Sequence, residues 1–129
     1  MPRVIATAFV LAAWSTTLVV TAVPRQGGSS STSGVHKGKA AYYSQALEGH
    51  KTACGGTYDG SEMTTAHRTL RCGTKLRITN LKNGKSVEAV VNDRGPTSHK
   101  RIVDVSRAVA EQLDFVKQGT TTVEIEVVE

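Results

Sequence analysis

The dipeptide Asn83-Gly84 lies between two short runs, Lys75–Asn80 and residues 86–91, and the first of these alternates polar with apolar side chains. Asn-Gly is a favoured dipeptide of hairpin turns, so the two runs are read as neighbouring antiparallel strands. Three more runs have strand character: residues 39–43 with their paired tyrosines, residues 102–105, and residues 121–128, which alternate with period two. The helix signal is Ser106, a capping residue ahead of a run through Val109, Ala110 and Leu113. Five or six strands and one short helix in so few residues predict a mainly β fold, a small barrel rather than a layered α/β sheet.

The barrel has to come from the last two thirds of the 129 residues. Met1-Pro2-Arg3 is a short basic start, an apolar stretch follows to Val23, and the short side chains at Val20 and Ala22 fit a secretory signal cut near Ala22. The same stretch is long enough to span a bilayer if left uncut. Residues 1–22 are therefore read as a signal peptide or an N-terminal anchor, with membrane contact expected only if the segment is retained. Residues 23–35 contain the run Gln26-Gly27-Gly28-Ser29-Ser30-Ser31-Thr32-Ser33-Gly34, whose composition cannot bury a core, and are read as a flexible linker. Residues 36–129 remain as the folded domain.

Export decides how Cys54 and Cys72 are read. In an oxidising compartment they are expected to pair, closing a loop of about 18 residues and contributing on the order of 3 kcal/mol. The alternative, a metal ligand or a nucleophilic thiol, needs partners. Two cysteines and scattered histidines do not make a zinc spacing, and no metal or other cofactor is expected. The net charge of +5 and the pI near 9.5 suit steering toward anionic cell-envelope polymers. Nucleic acid is not an expected partner, because the basic residues are dispersed and aromatics make up 5% of the chain.

The stretch Asn92-Asp93-Arg94-Gly95-Pro96 follows directly on an apolar run that ends at Val91. Gly and Pro punctuate turns and Asp favours them, so a charged surface turn would explain it. A carboxylate held at the mouth of a site would explain it as well. Other motifs bear on that choice: Gly38-Lys39-Ala40-Ala41-Tyr42-Tyr43, Gly49-His50-Lys51-Thr52-Ala53-Cys54-Gly55-Gly56-Thr57-Tyr58-Asp59 and Thr64-Thr65-Ala66-His67-Arg68-Thr69-Leu70. With Gly73-Thr74-Lys75-Leu76-Arg77-Ile78-Thr79-Asn80, the stretch around Asp93, and Arg101-Ile102-Val103-Asp104-Val105-Ser106, the chain resembles the barrel domain of the rare lipoprotein A (RlpA) family. Order and spacing hold across nearly all of the domain.

The resemblance implies a six-stranded double-psi β-barrel with one short helix, the fold of expansins and some endoglucanases. It implies an endolytic lytic transglycosylase that cleaves peptidoglycan glycan strands between N-acetylmuramic acid and N-acetylglucosamine and forms 1,6-anhydro ends. The alternative is a non-catalytic, expansin-like polysaccharide-binding module. The implied place is the periplasm or cell envelope of a Gram-negative bacterium, the implied partner is the glycan strand, and a monomer is expected.

Cleaving a glycosidic bond takes a general acid at the leaving oxygen and negative charge near the oxocarbenium-like transition state. In a lytic reaction a hydroxyl of the sugar replaces water, so a base must also accept its proton. Asp93 matches the family's acidic position and is the first candidate for the acid/base; Asp59 matches a second acid and His67 the histidine of the family's Ala-His-x-Thr-Leu motif. Tyr58, Arg94 and Thr52 are the candidate substrate-binding residues, and tyrosines at 42, 43 and 58 could stack on sugar rings. Glu48 and Glu62 lie in the same loop region. The resemblance departs at Gly56, where the family usually carries a glutamate linked to activity.

Overall fold

A computed structural model describes residues 34–128. The expected signal or anchor, and the linker up to residue 33, lie outside the described residues. Six strands and one helix follow in order: β1 (Val35–Tyr42), β2 (Thr64–Ala66), β3 (Lys75–Asn80), β4 (Ser86–Asp93), β5 (Arg101–Val105), α1 (Arg107–Gln112) and β6 (Thr120–Val127). The strands close into a barrel in the order β1-β5-β2-β4-β3-β6. Pairs β1·β5 and β2·β4 are parallel and the rest antiparallel. This is the mainly β barrel with a single short helix that the sequence predicts.

The alternation in sequence becomes an inside and an outside. Leu76 and Ile78 of β3, Ala89 and Val91 of β4, Val103 and Val105 of β5, and Val123 and Ile125 of β6 form the buried core with Ala40. Side chains of alternating strand positions point to opposite faces, so one face of each strand fills the barrel. Helix α1 packs against β1 and β4. The Ser106 side chain accepts from the Val109 N–H as its cap, and Val109, Ala110, Leu113 and Phe115 join the core.

The β3–β4 hairpin closes through residues 81–85, where the Gly84 N–H bonds to the Asn80 carbonyl and Gly84 takes φ +77°. Asn80 is one of the polar residues buried in an otherwise apolar interior. Its side chain donates to the Leu113 carbonyl and accepts from the Thr121 hydroxyl, so its polarity is satisfied in place.

Two features go beyond the sequence reading. Strand β2 is three residues long, all buried, within a region that carries no alternation of its own. Strand β1 begins at Val35 and pairs along its length with β6, so its polar first half, Val35 to Lys39, is held by backbone bonds to a neighbour.

Strand register then builds a row across four strands. Ala41 of β1 lies beside Asp104 of β5, Asp104 beside Ala66 of β2, and Ala66 beside Asp93 of β4. Between Thr65/Ala66 and Val91/Asp93 the register shifts by one residue on β4. A bulge of this kind bends a strand and re-aims the side chain that follows it, here Asp93.

Candidate active site

That four-strand row lines a cavity of about 410 Å³, walled by Tyr43, Leu47, Arg94, Pro96 and Arg101 among others. Asp93 sits in it at the end of β4. Its Oδ1 accepts from the backbone N–H groups of Ala53 (2.8 Å) and Arg94 (2.9 Å), and its Oδ2 accepts from the Tyr43 hydroxyl (2.6 Å). Gly95 follows at φ +139°, a conformation that glycine takes readily, and the Gly95–Pro96 peptide is cis. The turn residues thus end the strand and leave the carboxylate at its rim.

Arg94 borders the same cavity, but its guanidinium is engaged by the adjacent loop. Its guanidinium donates to the carbonyls of His67 (3.1 Å) and Leu70 and lies 3.7 Å from Cys72 Sγ, so it anchors the 67–72 loop. The acid and base written side by side in the sequence therefore do different jobs: one faces the cavity and the other ties the adjacent loop down. Arg101 also lines the cavity, and its Nε holds Asp104 at 2.9 Å.

His67 stands behind Asp93. Its backbone N–H donates to the Asp93 carbonyl (3.2 Å), and its Nδ1 accepts from the N–H groups of Thr69 and Leu70, both at 3.1 Å. Burial first, then the charges of Arg68, His36 and Arg94, push its pKa below the ordinary imidazole value. The ring is held neutral with the proton on Nε2 and borders a separate cleft of about 90 Å³.

Across Tyr43 lies a second cavity of about 620 Å³, lined by Tyr43, Glu48, Tyr58, Gly60, Arg107 and Glu111 among others. Tyr58 is buried, its ring stacked on Tyr43 with centroids 4.4 Å apart, and its hydroxyl accepts from the Arg107 N–H. Glu48 lines this cavity with both carboxylate oxygens on the Gly60 N–H, at 2.8 and 3.0 Å. Glu62 is exposed, and its carbonyl accepts from the Ser106 hydroxyl.

Asp59 is neighbour to these groups in sequence, but neither cavity includes it in its wall. Its Oδ1 accepts from the Ser61 N–H (2.9 Å) and hydroxyl (2.6 Å), bonds that hold its pKa below the ordinary carboxylate value. Thr52 is buried, and its N–H and hydroxyl both donate to the Gly56 carbonyl. It closes the turn that presents the Ala53 N–H to Asp93. The Cys54–Cys72 disulfide expected from the sequence is formed, with Cα atoms 5.8 Å apart, and ties this turn to the loop that Arg94 anchors.

The structure thus brings Asp93, Arg94, Thr52 and the disulfide into one assembly, sets Tyr58 behind Tyr43, and leaves His67 and Asp59 supporting the loops around it. The partner that sequence reasoning missed is the hydroxyl of Tyr43, 50 residues from Asp93. Its aromatic strand signal suggested stacking and gave no sign of a bond to a carboxylate.

The family model for lytic transglycolases matches residues 35–125. The chain belongs to this family. Over 89 residues it is 51% identical to a Neisseria meningitidis serogroup A protein named endolytic peptidoglycan transglycosylase RlpA, a match covering 69% of this chain and 37% of that relative. The chain thus spans little more than a third of the length of that curated relative. Among solved structures, a Streptomyces papain inhibitor is similar with a TM-score of 0.61 and 23% identity, covering 74% of this chain and 94% of that one. A mutant Clavibacter michiganensis expansin in complex with cellohexaose gives 0.59 and 20% identity over 74% and 50% of the two chains. These two likenesses are of fold.

Proposed function

We propose that this chain is an endolytic lytic transglycosylase that cleaves peptidoglycan glycan strands between N-acetylmuramic acid and N-acetylglucosamine and leaves 1,6-anhydro ends. The observation that carries the reading is the placement of Asp93. Three donors fix its carboxylate at the rim of a cavity large enough for a sugar residue. Membership of the lytic transglycolase family and the name of the Neisseria relative support the reaction class.

Asp93 serves in turn as acid and base. In the first half of the reaction its carboxyl proton passes to the glycosidic oxygen as the bond from that oxygen to C1 of the muramyl residue breaks. In the second half the C6 hydroxyl of the same residue attacks C1, and its proton returns to Asp93. No water is consumed and the carboxyl group ends as it began. The Arg101–Asp104 pair keeps charge on the cavity wall without a free carboxylate beside the reacting one. His67 and Asp59 serve turnover through the loops they hold, and Thr52 and Arg94 through the Ala53 turn and the 67–72 loop.

The disulfide supports an extracytoplasmic setting, and the relative's substrate supports the periplasm or envelope of a Gram-negative cell. A second reading has its own observation. Gly56 supplies no carboxylate where the family usually carries one, which favours a barrel that binds polysaccharide without cutting it, as the cellohexaose complex of the expansin supports. Digestion of purified peptidoglycan with the full chain, read by mass spectrometry, separates the two. New anhydro-muramyl ends support the enzyme; retention of glycan with no new ends overturns it in favour of the binding module.

A further inference from the structure

Resting on that reading, we propose that Tyr43 is a positioning residue of the reaction: its hydroxyl fixes Asp93 so that Oδ2 is the oxygen that gives and takes the proton. A carboxylate offers about four lone-pair sites. On Asp93, the Ala53 and Arg94 N–H groups occupy both sites of Oδ1, and the Tyr43 hydroxyl occupies one site of Oδ2. The remaining Oδ2 site is left for the substrate. Backbone N–H groups only donate, whereas a phenol both donates and accepts, so Tyr43 is the partner that adapts when Oδ2 gains or loses its proton.

The hydroxyl can set this geometry because the ring that carries it is itself fixed. The Tyr43 N–H bonds to the Val105 carbonyl at 3.0 Å, and its ring stacks on Tyr58 at an interplanar angle of 25°. Tyr58 is in turn held through its hydroxyl by the Arg107 N–H. Tyr43 forms part of the wall of both cavities, so the residue that orients the carboxylate also sits where the two spaces meet. It does not compete as the acid. Burial first, then the hydrogen bond and charge of Asp93, raise its pKa well above the ordinary phenol value and keep it a neutral donor. The other titratable or charged groups around the pair are Arg94, Arg101 and Asp104 on the wall of the first cavity, Glu48, Arg107 and Glu111 on that of the second, His67 behind Asp93 and Tyr58 behind Tyr43.

Tyr43→Phe in the full chain keeps the ring and its stacking and removes the one hydroxyl. The expected result is a fall in kcat of roughly 10- to 100-fold, the loss of one hydrogen bond to a charged group, with KM changed by less than about twofold. A second readout needs no turnover. In ¹³C-tyrosine NMR the Tyr43 resonance titrates above the ordinary phenol range in the wild type, and Asp93→Asn brings it down. A Tyr43→Phe enzyme with kcat within about twofold of wild type overturns the inference while leaving the function standing. A Tyr43 titration indifferent to Asp93→Asn overturns it as well, even where the Phe variant fails to fold. A wild type that makes no anhydro product overturns the reading of the function itself, and the inference with it.

Discussion

The N–H of Ala53 donates to Oδ1 of Asp93 over 2.8 Å, across 40 residues of chain. The residue after Ala53 is Cys54, whose disulfide to Cys72 fastens the donor's loop to the loop anchored by Arg94. The bond that orients the carboxylate therefore depends on a covalent tie.

Breaking that tie with Cys54→Ser/Cys72→Ser is expected to cost on the order of 3 kcal/mol of stability in the chain-entropy model. For a domain of this size that corresponds to a Tm lower by roughly 12 to 24 °C. At a temperature where the variant is still folded, turnover falls as well, because the Ala53 turn no longer holds its place. Calorimetry and product release measured together check this; a variant with a lower Tm and full turnover would show that the disulfide serves stability alone.

Gly56 offers the opposite experiment. A Cβ built there meets only the Thr52 Oγ1, at 4.0 Å, so a side chain has room. Gly56→Glu is expected to fold with the wild-type Tm and to raise turnover roughly tenfold or more by supplying a second carboxylate. Unchanged turnover in a folded variant would mean that this loop does not bring position 56 to the reacting sugar.

His67 makes stability depend on pH. Its Nδ1 faces two N–H donors, so a proton there would replace two acceptor contacts with repulsion. Its folded pKa lies below the unfolded value, so its contribution is fully present above about pH 6.5 and is lost as pH falls through the folded pKa. Urea unfolding from pH 7.5 down to pH 5 is expected to show a decline in wild type that is flatter in His67→Ala. Parallel declines would remove His67 as the cause.

Asp59 gives a test of role by chemistry. Asp59→Asn keeps an oxygen for the Ser61 N–H and hydroxyl and is expected to keep most of the turnover, whereas Asp59→Ala frees the loop and loses more. Steady-state rates for both variants decide. An Asp59→Asn enzyme as inactive as Asp93→Asn would place Asp59 at the reacting atoms.

What could be read from the sequence follows the range of each interaction. Strands β3 and β6 were legible because their alternation is local, β4 because the Asn83-Gly84 turn pairs it with β3, and Ser106 because capping is local. Strand β2 was not, since three residues hold too little pattern and its place is set by β4 and β5 on either side. Cys54 and Cys72 could be paired from compartment alone. Asp93 stood out through its turn, but its bond to Tyr43 and that of Arg94 to Leu70 depend on barrel closure. Asn80 reads as an ordinary strand end, and only the fold shows it buried on Leu113 and Thr121.

The central claim is that Asp93 moves the proton. The most direct measurement compares wild type and Asp93→Asn on purified peptidoglycan, counting anhydro-muramyl ends by mass spectrometry and checking each protein's Tm. The account predicts anhydro ends from wild type and a loss of about 100-fold or more in the variant at a Tm that shows it folded. Anhydro ends formed at the same rate by both proteins would contradict it.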